Sequence, residues 1–193
     1  MSESTSLSSP SRPGAPLDRV HPLIRTRQVR DFTDRRLEPA LLDALAEVVR
    51  WTGSSNNRQP WRFLVLRDRA TLRQIADAGQ PQTRALQTAA AALAIALPAE
   101  SERTVSNAYD EGRAAERVLI AAGLLGIGAG IAWVRDDVQA PIGALLGVPD
   151  GWFIRTVIAL GYPTEAALRP KSAPGQARLP RERTVFQDRW PAE

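Results

Sequence analysis

VLIAAGLLGIGAGIAWV, running from Val118 to Val134, carries no charge and no polar side chain other than the indole of Trp133. The run falls short of the roughly 20 apolar residues that a membrane helix needs. Gly123, Gly126, Gly128 and Gly130 also weaken any single helix drawn through it. A buried helix end, a tight glycine turn and a buried strand fit the stretch better. A glycine cluster of this kind invites a dinucleotide reading, but that fingerprint follows a strand and opens a helix. Here the order is reversed: Glu102 to Leu125 reads as a long helix, and Ile127 to Val134 as the strand after it. The glycines are therefore expected to let the backbone turn sharply and to admit a flat ring close by.

Working outward, the same alternation continues on both sides. Ala115, Val118, Leu119 and Ala122 mark the buried stripe of the long helix. Upstream, Ala89 to Leu97 is a continuous small apolar run closed by Pro98 and reads as a buried strand. Thr71 to Ala78 has helical spacing, Trp61 to Leu66 is β-branched and aromatic, and Pro39 opens a helix carrying Leu41, Leu42, Leu45, Val48 and Val49. Pro22 to Arg27 has room for a short helix. Downstream, Asp136 or Asp137 is placed to cap a helix ending near Leu146, and Trp152 to Leu160 is the last strand. Strands alternating with helices define a layered α/β or α+β domain.

The ends read differently. Residues 1–20 are rich in Ser and Pro and hold no apolar core of signal-peptide length, so they are expected to form a disordered tail on a cytoplasmic protein. Residues 21–193 are expected to be one domain. Its last part, 164–193, is punctuated by Pro170, Pro174, Pro180 and Pro191 and reads as an extended arm.

Composition narrows the chemistry. The 193 residues include no cysteine and one histidine, His21, which removes thiol nucleophiles, disulfides, a Ser-His-Asp relay and a multi-histidine metal site. An enzyme built from this chain therefore needs a bound cofactor for difficult chemistry. The net charge is +4, and Lys171 is the single lysine among 25 basic residues. Basic and acidic residues interleave along the whole length, the pattern of a solvated mixed surface rather than of a nucleic-acid footprint.

Three segments could carry function. Arg25-Thr26-Arg27-Gln28-Val29-Arg30-Asp31-Phe32 concentrates guanidinium groups suited to a phosphate, although alone it also reads as solvated surface. Gly53-Ser54-Ser55-Asn56-Asn57-Arg58-Gln59-Pro60-Trp61 makes a poor helix and a poor strand. It makes a good loop for hydrogen-bonding a polar heteroaromatic ring, or an ordinary connection. Asp110-Glu111 could be paired carboxylates, but so near a helix start they are expected to be caps or solvated charge.

In this order, the segments resemble the FMN-dependent nitroreductase superfamily. Thr26 to Phe32 is similar to the family's opening Arg-Arg-Ser-x-Arg-x-Phe motif, and Ser54 to Trp61 to its Ser-Ser-x-Asn-x-Gln-Pro-Trp loop. Asp110 to Gly128 resembles its Asp-x-Gly-x-Ala helix running into Gly-Leu-Gly, and Gly161-Tyr162-Pro163 ends the last strand before a basic arm. The resemblance implies an α+β fold: a three-layer α/β/α arrangement with a central mixed sheet, an extended C-terminal arm and an intertwined homodimer. It implies FMN as cofactor and NADH or NADPH as donor. The flavin N5 would pass hydride to a nitroaromatic, quinone or similar flat acceptor by a ping-pong mechanism, with no catalytic side chain, no metal, no nucleic acid and no membrane.

Residue by residue, the resemblance implies that Arg27 and Arg30 hold the FMN phosphate. Gln28 stands at the serine position, and Arg25 compensates for Thr26 at the first arginine. Ser54, Ser55 and Asn57 would contact the flavin from the second subunit. Gln80 and Gln82 fall at a flavin-edge amide, Trp133 and Val134 run beside the ring, and Arg178 is the arm's phosphate-binding residue. Two other tasks are compatible with the same fold. One is a flavin-destructase, dehalogenase or deazaflavin-handling relative, against which the short Leu97–Asn107 stretch argues because it leaves little room for a lid. The other is a flavin-binding or storage protein without turnover.

Overall fold

The computed structural model describes residues 16–173 and 178–191. The first helix, α1 (Pro16–Arg25), starts earlier than Pro22, so it takes in the last residues of the segment read as tail. Asp18 lies in its first turn, where a negative charge complements the helix dipole. No residue of α1 is buried. The helix α2 (Pro39–Arg50) opens on the proline, as expected, and buries Leu42, Leu45 and Val49. The strand β1 (Arg62–Leu66) leads to α3 (Arg69–Ala78), which Asp68 caps by accepting from the Ala70 and Thr71 amides at 3.2 and 2.9 Å. Next come β2 (Ala91–Pro98) and the long α4 (Thr104–Leu124). The chain ends with β3 (Gly128–Trp133), α5 (Asp136–Leu145), β4 (Trp152–Gly161) and the short α6 (Glu165–Leu168).

The opening run thus divides as expected into a helix end and a strand, with Gly126 at φ +72° turning between them. Among the described residues no helix is long and apolar enough to cross a membrane. The caps of α5 differ from expectation. Arg135 occupies the N-cap position without a side-chain bond, and Asp136 and Asp137 sit in the first turn, where Asp137 pairs with Arg135 at 2.9 Å.

The four strands are ordered β1-β2-β4-β3, and helices cover both faces. Leu93, Ile95 and Leu97 of β2 pack with Leu45 of α2 and Val118 of α4. The alternate residues Ala92, Ala94 and Ala96 meet Leu72 and Ile75 of α3 and Ile142 of α5. This is the period-2 alternation of a strand buried on both sides. The three-layer α+β arrangement therefore stands. The expected mixed sheet does not, because every neighbouring pair among the described residues is antiparallel. The cause is connectivity. β2 and β3 both run opposite to β4, so the α4 crossover does join two parallel strands, but β4 occupies the slot between them.

Candidate functional site

Gln28 and Val29 lie along the outer edge of β3, and Phe32 and Thr33 lie beside the residues that follow β4. The Val29 amide donates to the Ala129 carbonyl at 2.8 Å, and the Ile131 amide donates to Oε1 of Gln28 at 3.2 Å. The Thr33 amide donates to the Tyr162 carbonyl at 2.8 Å, and Phe32 forms an isolated bridge with Pro163. The glycines make this seat. A Cβ at Gly130 would lie 2.1 Å from the Val29 carbonyl oxygen, and one at Gly128 or Gly161 would lie 2.9 Å from the side chain of Val29 or Phe32. The expectation that Gly128 and Gly130 approach a flat ring is therefore corrected: the chain's own N-terminal segment fills that space.

Once seated, the segment forms one wall of a cleft of about 350 Å³ lined by Gln28, Val29, Arg30, Arg84, Thr88 and Lys171, among others. Arg30 donates from Nη2 to Gln28 Oε1 at 2.6 Å, so one amide oxygen joins the guanidinium to the β3 edge. Arg84 and Lys171 are cations at this cleft that the motif reading did not single out. Lys171 as the only lysine, and Arg84 two residues beyond Gln82, were the available signals. Arg27 turns away and donates to the Leu168 carbonyl, tying the segment to α6. Arg25 lines a different cavity, with His21, Ile120 and Leu124 between α1 and α4.

The remaining implied residues are distributed as follows. Trp133 is half exposed at the end of β3, whereas the Val134 side chain is buried and its amide donates to the Arg155 carbonyl at 2.8 Å. Gln82 Oε1 accepts from Arg135 Nη1 at 3.3 Å, and the same nitrogen reaches the Gln80 carbonyl at 2.7 Å. A hydrogen bond to Asp137 raises the Arg135 pKa above its usual value, so the cation is secure there. Arg178 is exposed on the arm, next to residues 174–177, which lie outside the described part.

The Ser-Ser-Asn loop lies elsewhere. It enters β1, at the opposite edge of the sheet from β3. Three strand-to-strand steps separate the two edges, about 14 Å at the usual ~4.8 Å spacing. A single chain therefore does not bring Ser54, Ser55 and Asn57 together with the basic cleft. The loop is tightly built: Ser54 Oγ accepts from the Gln59 amide at 2.8 Å, and Asn56, Asn57 and Gln59 all have positive φ, at 50°, 54° and 52°. Arg58 pairs with Glu100 at 3.2 Å at the loop's exit.

Asp110 and Glu111 overturn their expectation. They are neither caps nor solvated, being 3% and 4% exposed in the second turn of α4. Both Asp110 oxygens accept from the Ser55 amide, at 3.0 and 3.3 Å, and Arg113 stands 3.4 Å from Oδ1. Arg155 on β4 donates from Nε to Glu111 Oε2 at 3.0 Å. In the folded chain Asn107, Asp110, Glu111, Ala114, Ala115 and Val118 form one buried stripe of the helix.

Comparison with known proteins bears on this arrangement. The nitroreductase family model matches residues 23–97. A curated protein of Archaeoglobus fulgidus named "Putative NADH dehydrogenase/NAD(P)H nitroreductase" is 29% identical over 148 residues, covering 72% of this chain and 82% of its own length. One of the same name from Methanothermobacter thermautotrophicus is 28% identical, covering 77% and 79%. Among solved structures, an FMN-dependent nitroreductase from Clostridium difficile superposes with a TM-score of 0.74 at 22% identity, covering 88% of this chain and 99% of that one. The architecture is that of the nitroreductase fold. The family match and the curated relatives agree: the chain is similar to the nitroreductase family over residues 23–97 and shares the fold of its solved members.

Proposed function

We propose that the chain is an FMN-dependent oxidoreductase, active as a homodimer, that takes hydride from NADH or NADPH and delivers it to a nitroaromatic, quinone or similar flat acceptor. The observation that carries this reading is the cleft lined by Gln28, Arg30, Arg84 and Lys171, with Asp31 as the one carboxylate among its lining residues. Three cations and an amide suit a phosphate dianion, and each charge-assisted bond to it is worth roughly 1.5–3 kcal/mol. In this reading Gln28, Arg30, Arg84 and Lys171 hold the phosphate, with Arg178 approaching from the arm. Arg27 braces α6, and Arg25 stays outside the site. Trp133 and the backbone at Val134 would flank the ring, and Arg135, which holds Gln82 and the Gln80 carbonyl, would fix the amides at its edge. FMN held there would supply the redox chemistry, so that neither a nucleophile nor a metal would be required of the protein.

The second half of the site belongs to a second copy. Ser54, Ser55 and Asn57 lie across the sheet from the cleft, so one chain cannot complete the enclosure. The surface beside the loop is suited to a partner. Val105 and Tyr109, one turn apart near the start of α4, are 70% and 75% exposed, and Trp51 at the end of α2 is 68% exposed. Exposed apolar area of this kind marks interaction surfaces.

The test is an absorption spectrum of fresh protein, then anaerobic titration with NADH and NADPH. Flavin bands that bleach on titration are expected. Protein that stays colourless and gives no heat with added FMN would overturn the reading. A yellow protein that oxidises neither donor with any acceptor would point instead to flavin binding without turnover.

A further inference from the structure

We propose that Asp110 is the positioning residue of the Ser54–Gln59 loop: its carboxylate, set in the buried face of α4, dictates which groups the loop presents to the flavin. The proposal rests on the FMN reading above and goes beyond it, since it assigns a role to a residue on the helix behind the loop rather than in it.

The argument starts from what the loop lacks. It has no strand or long helix of its own, and three of its residues sit at positive φ without being glycine, a conformation sparsely populated by L side chains. Such a loop persists only where its surroundings over-determine it. Its internal bonds are short-range: Asn57 amide to Ser54 carbonyl at 3.0 Å, Arg58 amide to Ser55 carbonyl at 3.1 Å, and Gln59 amide to Ser54 Oγ at 2.8 Å. They fix the loop's shape but not its place on the domain. At the exit, Arg58 and Glu100 make an ion pair that is substantially solvent-exposed, and pairs of that kind contribute little.

At the entry, by contrast, the Ser55 amide meets a carboxylate that is 3% exposed, with both oxygens within hydrogen-bond range. A buried charge-assisted bond is the stronger clamp. Arg113 completes it. The guanidinium that faces Asp110 Oδ1 at 3.4 Å also lies over Gly53, where an added Cβ would come 2.8 Å from Arg113 Nη2. One carboxylate and its cation thus hold Gly53 and Ser55, at the loop's entry, against a 21-residue helix.

Amide hydrogen exchange and FMN affinity, measured on the full-length protein, test this. Asp110→Leu keeps the volume and removes the acceptor, whereas Asp110→Asn keeps one oxygen to accept from Ser55. In Asp110→Leu the amides of Asn57, Arg58 and Gln59 are expected to exchange about tenfold faster, while those of β1 and β2 are unchanged. FMN affinity is expected to fall roughly tenfold or more, the size of a lost charge-assisted bond. Asp110→Asn is expected to recover most of both. Ser55→Pro removes the same bond from the loop side and, read by hydrogen exchange alone because Ser55 also faces the flavin in this reading, decides the case if Asp110→Leu does not fold. Ser54 ahead of it is extended (φ −133°, ψ 163°), as a following proline requires. Unchanged exchange at residues 57–59, unchanged FMN affinity, or acceleration spread equally over β1 and β2 would each overturn the proposal. Wild-type protein that ignores FMN would instead defeat the cofactor reading, and the exchange data would still decide whether Asp110 sets the loop.

Discussion

Gly130 shows how one missing methyl group shapes this protein. Its Cα faces the Val29 carbonyl so closely that a Cβ would sit 2.1 Å from the oxygen, and backbone cannot swing aside as a side-chain end does. Gly130→Ala is expected to cost about 1–3 kcal/mol, the range for overpacking, and to displace Gln28 and Arg30 from β3. A lowered urea midpoint together with weaker phosphate or FMN binding checks this. Asp68 supports a pH prediction. The Thr71 hydroxyl, then the Thr71 and Ala70 amides, hold its pKa below the ordinary 3.8. Because the folded-state value is lowered, the stabilising contribution is complete above 3.8 and is lost as the pH falls through the folded-state value. The difference in thermal midpoint between wild type and Asp68→Ala is therefore expected to be constant near neutrality and to shrink in acid. Glu47 behaves alike, held at about 2 by hydrogen bonds from Arg50 and then from Trp51, so it remains an anion over any working pH.

Among the elements, β2 is the most constrained, with its two faces matched to different layers. Leu93 and Ile95 fill the space under α2 and α4, whereas Ala92 and Ala94 allow α3 and α5 to approach. The two faces should respond oppositely to size. Leu93→Ala opens a cavity and is expected to cost about 2–5 kcal/mol. Ala94→Leu crowds the other layer and is expected to cost about 1–3 kcal/mol. Chemical denaturation of both variants checks the pair; a neutral Ala94→Leu would show slack between β2 and the α3/α5 layer. The long helix α4 illustrates what a sequence pattern can and cannot supply. Its apolar stripe was legible from Ala115 to Ala122, and its length nearly so. That the stripe continues through Asp110 and Glu111 was not, because a charged residue is buried only when a partner arrives from elsewhere. Those partners, the Ser55 amide and Arg155, are 55 and 44 residues away.

For the whole molecule, the decisive feature is that the basic cleft and the Ser-Ser-Asn loop occupy opposite edges of one sheet. A homodimer that shares them can be complemented. Arg30→Ala disables the cleft and Asp110→Leu the loop, so each homodimer is expected to bind FMN poorly. Mixed in equal amounts and allowed to exchange subunits, half of the dimers become mixed, and each of those carries one intact site. About a quarter of wild-type FMN binding is then expected to return. Flavin fluorescence read against subunit-exchange time checks this, and no recovery despite proven exchange would mean that each chain builds its own site.

Local order along the chain was written in the residues. Pro39 opened a helix, Ala89 to Leu97 read as the buried strand found at Ala91–Pro98, and the glycines of Val118 to Val134 broke the run where α4 gives way to β3. These are effects of φ, ψ and apolar spacing, which act over a few residues and so leave a mark in the sequence. The antiparallel pairing of β4 between β2 and β3, the burial of Asp110, the occupation of the glycine seat by Val29, and the gathering of Arg84 and Lys171 beside Arg30 left no such mark. Each depends on groups tens of residues apart meeting in space, and that meeting is settled only when the layers pack.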